Sequence, residues 1–316
     1  MMTSSNVLGN NLGNDLAKTL AGAVAALNAG DLAAAEAIIR SLGEKGHDDP
    51  AVLQVRALIA LRAGHLDEAE THAAAVLRLA PTHAAAWAQA AEIARTRRDP
   101  ALAIARWTRA ADLDPHRPEF AFALAGLQLE TGGDNVDRRA IVTDLARRFP
   151  DAAVSWGPLA HVLARLDEPA LALLALRHAE GSPTNLMLQG DLLARAGHPD
   201  RAATAFRAVV TRDPKAASGW FRLGLALQDS RDAEGAIAAY RQTLALRPDI
   251  AEAHVNLGIV LQETGDIASA KAAYGRALRL RPDTFGRIAQ ALTGAAKGEL
   301  WLDQEALRAH LIEMGA

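Results

Sequence analysis

The chain has 316 residues, room for two globular domains or one extended array. Half of them are apolar but only 4% are aromatic, and 72 are alanine, the best helix former and a residue of little core volume. That composition predicts closely packed helices and disfavours a β-rich fold. The apolar content and a net charge of only -3 exclude a disordered chain and argue against a bulk polyanion binder. There is no cysteine, so disulfides, Cys-based zinc sites and thiol catalysis are excluded. Arg outnumbers Lys by 29 to 5, as expected from a GC-rich bacterial genome rather than from a function.

In chain order, a flexible N-terminus is expected over 1–15. Lys18 and the apolar run Thr19–Leu27 imitate a signal peptide. The run fits better as the first helix of a unit, Leu16–Asp49, whose Ala23, Gly30, Asp31, Ala35 and Ile39 recur at a period of 34 residues. Pro50–His83 repeats the pattern with Ala57, Gly64, Ala69, Val76, Leu77 and Pro81. Ala84–Arg117 repeats it with Trp87, Ala91, Asp99, Ala103, Trp107, Ala110 and Pro115. The middle, 118–182, is irregular. Pro118–Ala152 carries a longer Gly132-Gly133-Asp134-Asn135 turn and has Asp144 or Leu145 near the aromatic position. Ala153–Ser182 is about four residues short and holds Gly157-Pro158 inside its first helix. Three regular units follow, Pro183–Ala216, Ala217–Ile250 and Ala251–Thr284.

Each unit reads as two amphipathic helices. In the last, Leu257, Val260 and Leu261 lie on one stripe of the first helix. Gly258 and Ala270 are small where two axes approach, and Tyr274 fills the gap beside them. Gly265 ends the first helix and Asp266 caps the second. Pro81, Pro115, Pro214, Pro248 and Pro282 stop second helices. The tail, 285–316, leaves the register. Phe285, Ile288 and Leu292 make one stripe, and Asp303 caps a last helix bearing Leu307, Leu311 and Met314, with Leu302 and Leu307 as a hydrophobic staple. An array needs such a helical cap for its open apolar side. Trp301 is a candidate docking element there.

The period and the recurring Trp, Leu-Gly, Ala, aromatic, Ala and Pro resemble the tetratricopeptide repeat (TPR) family over about 270 residues. The nearest match is Ala251–Thr284, through Asn256-Leu257-Gly258, Gly265-Asp266, Ala270, Tyr274, Ala277-Leu278 and Pro282. The resemblance implies an all-α fold, a right-handed α-α superhelix of about eight helix-turn-helix repeats with a C-terminal helical cap.

It also implies that the first helices line a concave face. Candidate partner-binding residues there are Arg62, Gln89, Glu92, Phe122, Met187, Asp191, Phe221, Arg222, Leu225, Gln228, Asn256, Ile259 and Gln262. Neither charge sign dominates these positions, which suits a protein or peptide better than nucleic acid. A Lys/Asn clamp that some members use to grip a C-terminal carboxylate is missing, since Leu20, Val24, Val55, Ala85 and Gln89 stand at the corresponding places.

None of the ten histidines forms a ligand motif, and no nucleophile elbow or P-loop appears. Trp87, Trp156, Trp220 and Trp107 read as packing residues. The expectation is a non-enzymatic cytoplasmic scaffold or adaptor without catalytic residues, cofactor, metal or membrane-inserted segment. An accessory subunit of a separately encoded transferase is the alternative, and self-association a third reading.

Overall fold

The computed structural model describes residues 4–43, 48–132, 136–294 and 303–315, with side chains from residue 15 onward. Every regular element among them is helical. The order is α1 (Ser4–Asn28), α2 (Leu32–Arg40), α3 (Pro50–Ala63), α4 (Leu66–Leu79), α5 (Ala84–Thr96), α6 (Pro100–Leu113), α7 (Pro118–Thr131), α8 (Arg138–Arg148), α9 (Ala153–Arg165), α10 (Pro169–Leu176), α11 (Pro183–Arg195), α12 (Pro199–Arg212), α13 (Ala217–Asp229), α14 (Ala233–Leu246), α15 (Ala251–Thr264), α16 (Ile267–Leu280), α17 (Phe285–Gly294) and α18 (Gln304–Met314). The eight pairs α1/α2 to α15/α16 are helix-turn-helix units, followed by the α17 and α18 cap. Odd helices come first in each pair, and even helices second. The segment expected to be flexible, 1–15, is helical from Ser4. Leu302, Trp301 and the core of the Gly133–Asn135 turn lie outside the described residues.

The chain divides within α10 into two compact units, Met1–Leu171 and Ala172–Ala316. In the first, α1 packs on α2, α3 on α4 and α5 on α6, and each of α2, α4 and α6 leans on the next odd helix. In the second, the pairs α11/α12, α13/α14 and α15/α16 repeat the scheme, and α18 closes on α16.

Local chemistry sets the helix bounds. Helices α4, α6, α12, α14 and α16 end two residues before Pro81, Pro115, Pro214, Pro248 and Pro282, because the residue before a proline is pushed out of the helical region. The carboxylates of Asp31, Asp99, Asp232, Asp266 and Asp303 accept first-turn backbone N–H groups. In seven of the eight pairs one described residue between the helices is left-handed. Gly30, Gly64, Gly197 and Gly265 take that place at positive φ, and so do Arg98 (63°), Asp167 (55°) and Arg231 (65°). The last three accept roughly 1–2 kcal/mol of steric cost that glycine avoids. Pro158 sits inside α9 without ending it.

The core repeats one contact. A Cβ on Gly190, Gly224 or Gly258 would lie 2.4–2.5 Å from the ring of Phe206, Tyr240 or Tyr274. Glycine in the odd helix is therefore what lets the aromatic of the even helix lie flat against it. Those three rings are essentially buried. In the third pair Ala91 stands at the glycine place. The methyl blocks that seat, and Trp107 stays half-buried, tilted against Phe120 at 5.9 Å.

A second recurrence ties each junction. The indole N–H groups of Trp87, Trp156 and Trp220 donate to the carbonyls of Pro81, Phe149 and Pro214 at 2.8–3.0 Å. His254 holds the same place, with Nε2 3.1 Å from the Pro248 carbonyl. An imidazole is smaller than an indole, and an open surface depression of about 390 Å³ lies beside it, between Leu244, Pro248 and Leu280. Burial, opposed by the Pro248 carbonyl and reinforced by Arg276, holds the imidazole below its usual 6.5. Its buried Nδ1 has no partner. The folded state therefore prefers the neutral ring. As pH falls below about 6.5 the unfolded chain takes up a proton that the folded one resists, and stability drops.

His254→Trp is expected to restore the indole bond, cover part of that depression and add about 1 kcal/mol at pH 7. It should also remove this acid sensitivity. Urea midpoints at pH 7 and 5.5 test it; equal losses in wild type and variant would refute the assignment.

Candidate partner-binding faces

The odd helices touch their odd neighbours, α1 with α3, α3 with α5 and α7 with α9 in the first unit, and α13 with α15 in the second. The outward residues of each touching pair therefore share one strip.

In the second unit much of that strip is already committed. Tyr240 donates its hydroxyl to Gln228 Oε1 at 2.8 Å, and Tyr274 does the same to Gln262 Oε1 at 2.9 Å. Gln262 is 1% exposed and also donates to the Ala291 carbonyl at 3.0 Å. Asn256, 3% exposed, accepts from Arg287 of α17 at 2.6 Å and sits beside the Tyr240 hydroxyl. Burial pushes both phenols well above their ordinary range, against the pull of Arg287 and, at Tyr240, of Asn256. So Asn256, Gln262 and Gln228 satisfy buried hydroxyls and a backbone carbonyl. Asp191 and Arg222 pair across α11 and α13 at 2.5 Å. Burial raises the Asp191 carboxyl, against the pull of Arg222. Met187, Phe221, Leu225 and Ile259 are half-buried against the core, and Phe221 lies 6.0 Å from the Tyr240 ring.

The first unit is different. Gln89 donates to the Gln54 carbonyl at 2.8 Å, and Arg62 is exposed. Across α5, α7 and α9 runs a groove of about 430 Å³. Its floor includes Phe122, 7% exposed and edge-on to Trp156 at 4.8 Å. Val154 stands at its edge, 74% exposed. Along the rim Glu92 pairs with Arg95, and Glu130 with Arg165. The Glu92 contact, with Glu130 nearby, raises the Arg95 guanidinium above its already high range.

Phe122, Glu92 and their surroundings are thus brought together, whereas Arg62 and Gln89 lie further along the strip and line no part of this groove. Sequence reasoning missed Gly126, Val154 and Pro158 as groove residues. Elsewhere, His65 and His72 flank the Glu68 carboxylate at 3.7 and 3.6 Å. Among the described residues no group of His, Asp and Glu is arranged to hold a metal ion. No described helix is long and apolar enough to cross a membrane.

Helix pairs stacked at a fixed period, with outward strips on the odd helices, define a helical-repeat protein of the interaction-scaffold class. The sequence profile of the Tetratricopeptide repeat family matches residues 55–104, 187–249 and 222–285. The chain is a tetratricopeptide repeat protein. Among solved structures, the C-terminal part of a TPR repeat-containing protein from Cytophaga hutchinsonii shares the fold, with a TM-score of 0.52 at 15% identity over 86% of this chain and 99% of that one. MamA superposes with a TM-score of 0.41 at 16% identity, over 61% of this chain and 95% of that one. YrrB, described as a TPR protein with an unusual peptide-binding site, gives 0.40 at 19% identity over 68% and 95%. No curated protein matches the sequence.

Proposed function

We propose that the chain is a non-catalytic adaptor that holds a segment of a partner protein against the outward strip of its odd helices. The observation that carries this reading is the α5/α7/α9 groove, with an apolar floor open to solvent and a rim of self-paired charges. Such a face combines burial for affinity with charge for register. A photo-crosslinking amino acid placed singly at Arg62, Glu119 or Arg222 on odd helices, and at Arg109 or Glu234 on even ones, tests it in cells. All five side chains are exposed. Covalent adducts with a partner are expected from odd-helix positions only. Equal yields from the even helices would overturn the assignment.

A further inference from the structure

Gly126 lies mid-way along α7, on the wall of the groove. Unlike Gly190, Gly224 and Gly258 it faces no ring, and a Cβ there would meet nothing within 4 Å. Its φ is not positive either. A glycine inside a helix costs about 1 kcal/mol relative to alanine. Neither packing nor backbone geometry within the chain explains that cost at Gly126. What the missing side chain does is keep the groove deep between Phe122 and Pro158. Val154, three-quarters exposed, offers a further apolar contact at the edge.

The charges point to the rest of the ligand. Arg95 and Arg165 are taken by Glu92 and Glu130, so that part of the rim is neutral. Glu119 also lines the groove. Its nearest cation, Arg117, is 3.8 Å away and lies over the Phe120 ring at 4.9 Å. Arg117 does not line the groove, so the lining itself holds three glutamates, Glu92, Glu119 and Glu130, against one arginine, Arg95.

We propose that this groove takes a partner-protein segment presenting a large apolar side chain with a lysine or arginine within three residues of it. The apolar side chain enters over Gly126, and the cation meets Glu119. This rests on the adaptor reading above and names the partner's chemistry at one part of that surface.

The test uses the full-length chain and a displayed library of random twelve-residue peptides. The selected peptides are then synthesised and titrated by fluorescence anisotropy. Enriched peptides should share an apolar-plus-basic pair. Gly126→Trp, which fills open space, should weaken them at least tenfold. Val154→Lys, at an exposed site, should do so as well without touching the core. Glu119→Lys should weaken them at least fivefold, and exchanging the peptide's basic residue for Glu should restore binding to that variant.

Peptides that lack the pair, or that bind Gly126→Trp unchanged, would overturn the proposal. If their binding is instead lost in Phe221→Ser, the adaptor reading survives at another surface while this inference fails. If no peptide enriches, or if Gly126→Trp abolishes a dimer of the full chain seen by sedimentation, the occupant is not such a segment and the proposal falls.

Discussion

Replacing Glu70 by alanine is expected to cost about 3 kcal/mol of stability. Arg106 of α6 is 8% exposed and reaches across to the Glu70 carboxylate of α4 with both terminal nitrogens, at 2.5 and 2.9 Å. Arg106 also donates to the Ala90 carbonyl of α5 at 2.9 Å. Removing the carboxylate leaves a largely buried guanidinium with the Ala90 carbonyl as its remaining partner, and that uncompensated charge carries the cost. Glu70 keeps a quarter of its side chain exposed, which softens the loss. Replacing both residues by methionine should be nearly neutral, because it removes the desolvation penalty together with the attraction.

The bond to Arg106 holds the Glu70 carboxyl below its usual 4.5, in spite of burial. A depressed carboxylate contributes stability that is present above the unfolded value. It is lost as pH falls through the lower folded value. Urea unfolding of the single and double variants measures all of this. A Glu70→Ala chain within 1 kcal/mol of wild type would show that the pair contributes nothing.

Gly275→Ala should release the last helix. On propensity alone this change would stabilise α16 by about 1 kcal/mol. The structure reverses the sign. A Cβ on Gly275 would fall 1.9 Å from the Leu311 carbonyl oxygen and 2.6 Å from the Gly315 nitrogen, and one on Gly315 would fall 2.4 Å from the Gly275 carbonyl carbon. These are backbone atoms, so no side chain can turn aside, and α18 must move as a body. With it go Leu307 and Leu311, both buried against Ile288 and Leu292. Exposing two such leucines costs about 3–4 kcal/mol. Amide hydrogen exchange over Gln304–Met314 should therefore quicken by roughly 10²–10³-fold while α13 to α15 keep their protection. Unchanged protection of α18 would mean that the docking is wrong.

What the sequence could and could not show follows from the range of each interaction. The glycine–aromatic contacts are legible because Gly190 and Phe206, Gly224 and Tyr240, and Gly258 and Tyr274 are each sixteen residues apart and recur at a 34-residue period. The caps and the proline stops are local and were equally plain. Gly265, fifteenth in its unit, is read from sequence as a helix end. Its left-handed backbone persists at Arg98, Asp167 and Arg231, where the flanking helices impose it.

The binding face was less readable. Asn256 and Gln262 have the polarity of groove residues, yet Arg287, Tyr274 and the Ala291 carbonyl take them up. Two of those partners belong to α17, which is outside the repeat register. Arg106 and Glu70 are thirty-six residues apart, off the period by two, and carry no local signal. Gly126 looks like any helix glycine until the space above its Cα is seen to be empty.

The ring at the fourth place of a unit has a mechanical side. Trp87, Trp156, Trp220 and His254 each tie a helix start to the carbonyl of the preceding turn. The units beginning at Pro50, Pro118 and Pro183 carry Leu53, Ala121 and Leu186 there instead. At the Pro183 junction Asn185 supplies the tie instead, its Nδ2 donating to the Glu180 carbonyl at 3.0 Å, so the starts at Pro50 and Pro118 carry neither a ring at the fourth place nor this amide tie. Under a pulling force the starts at Pro50 and Pro118 are therefore expected to yield before those at Ala84, Ala217 and Ala251.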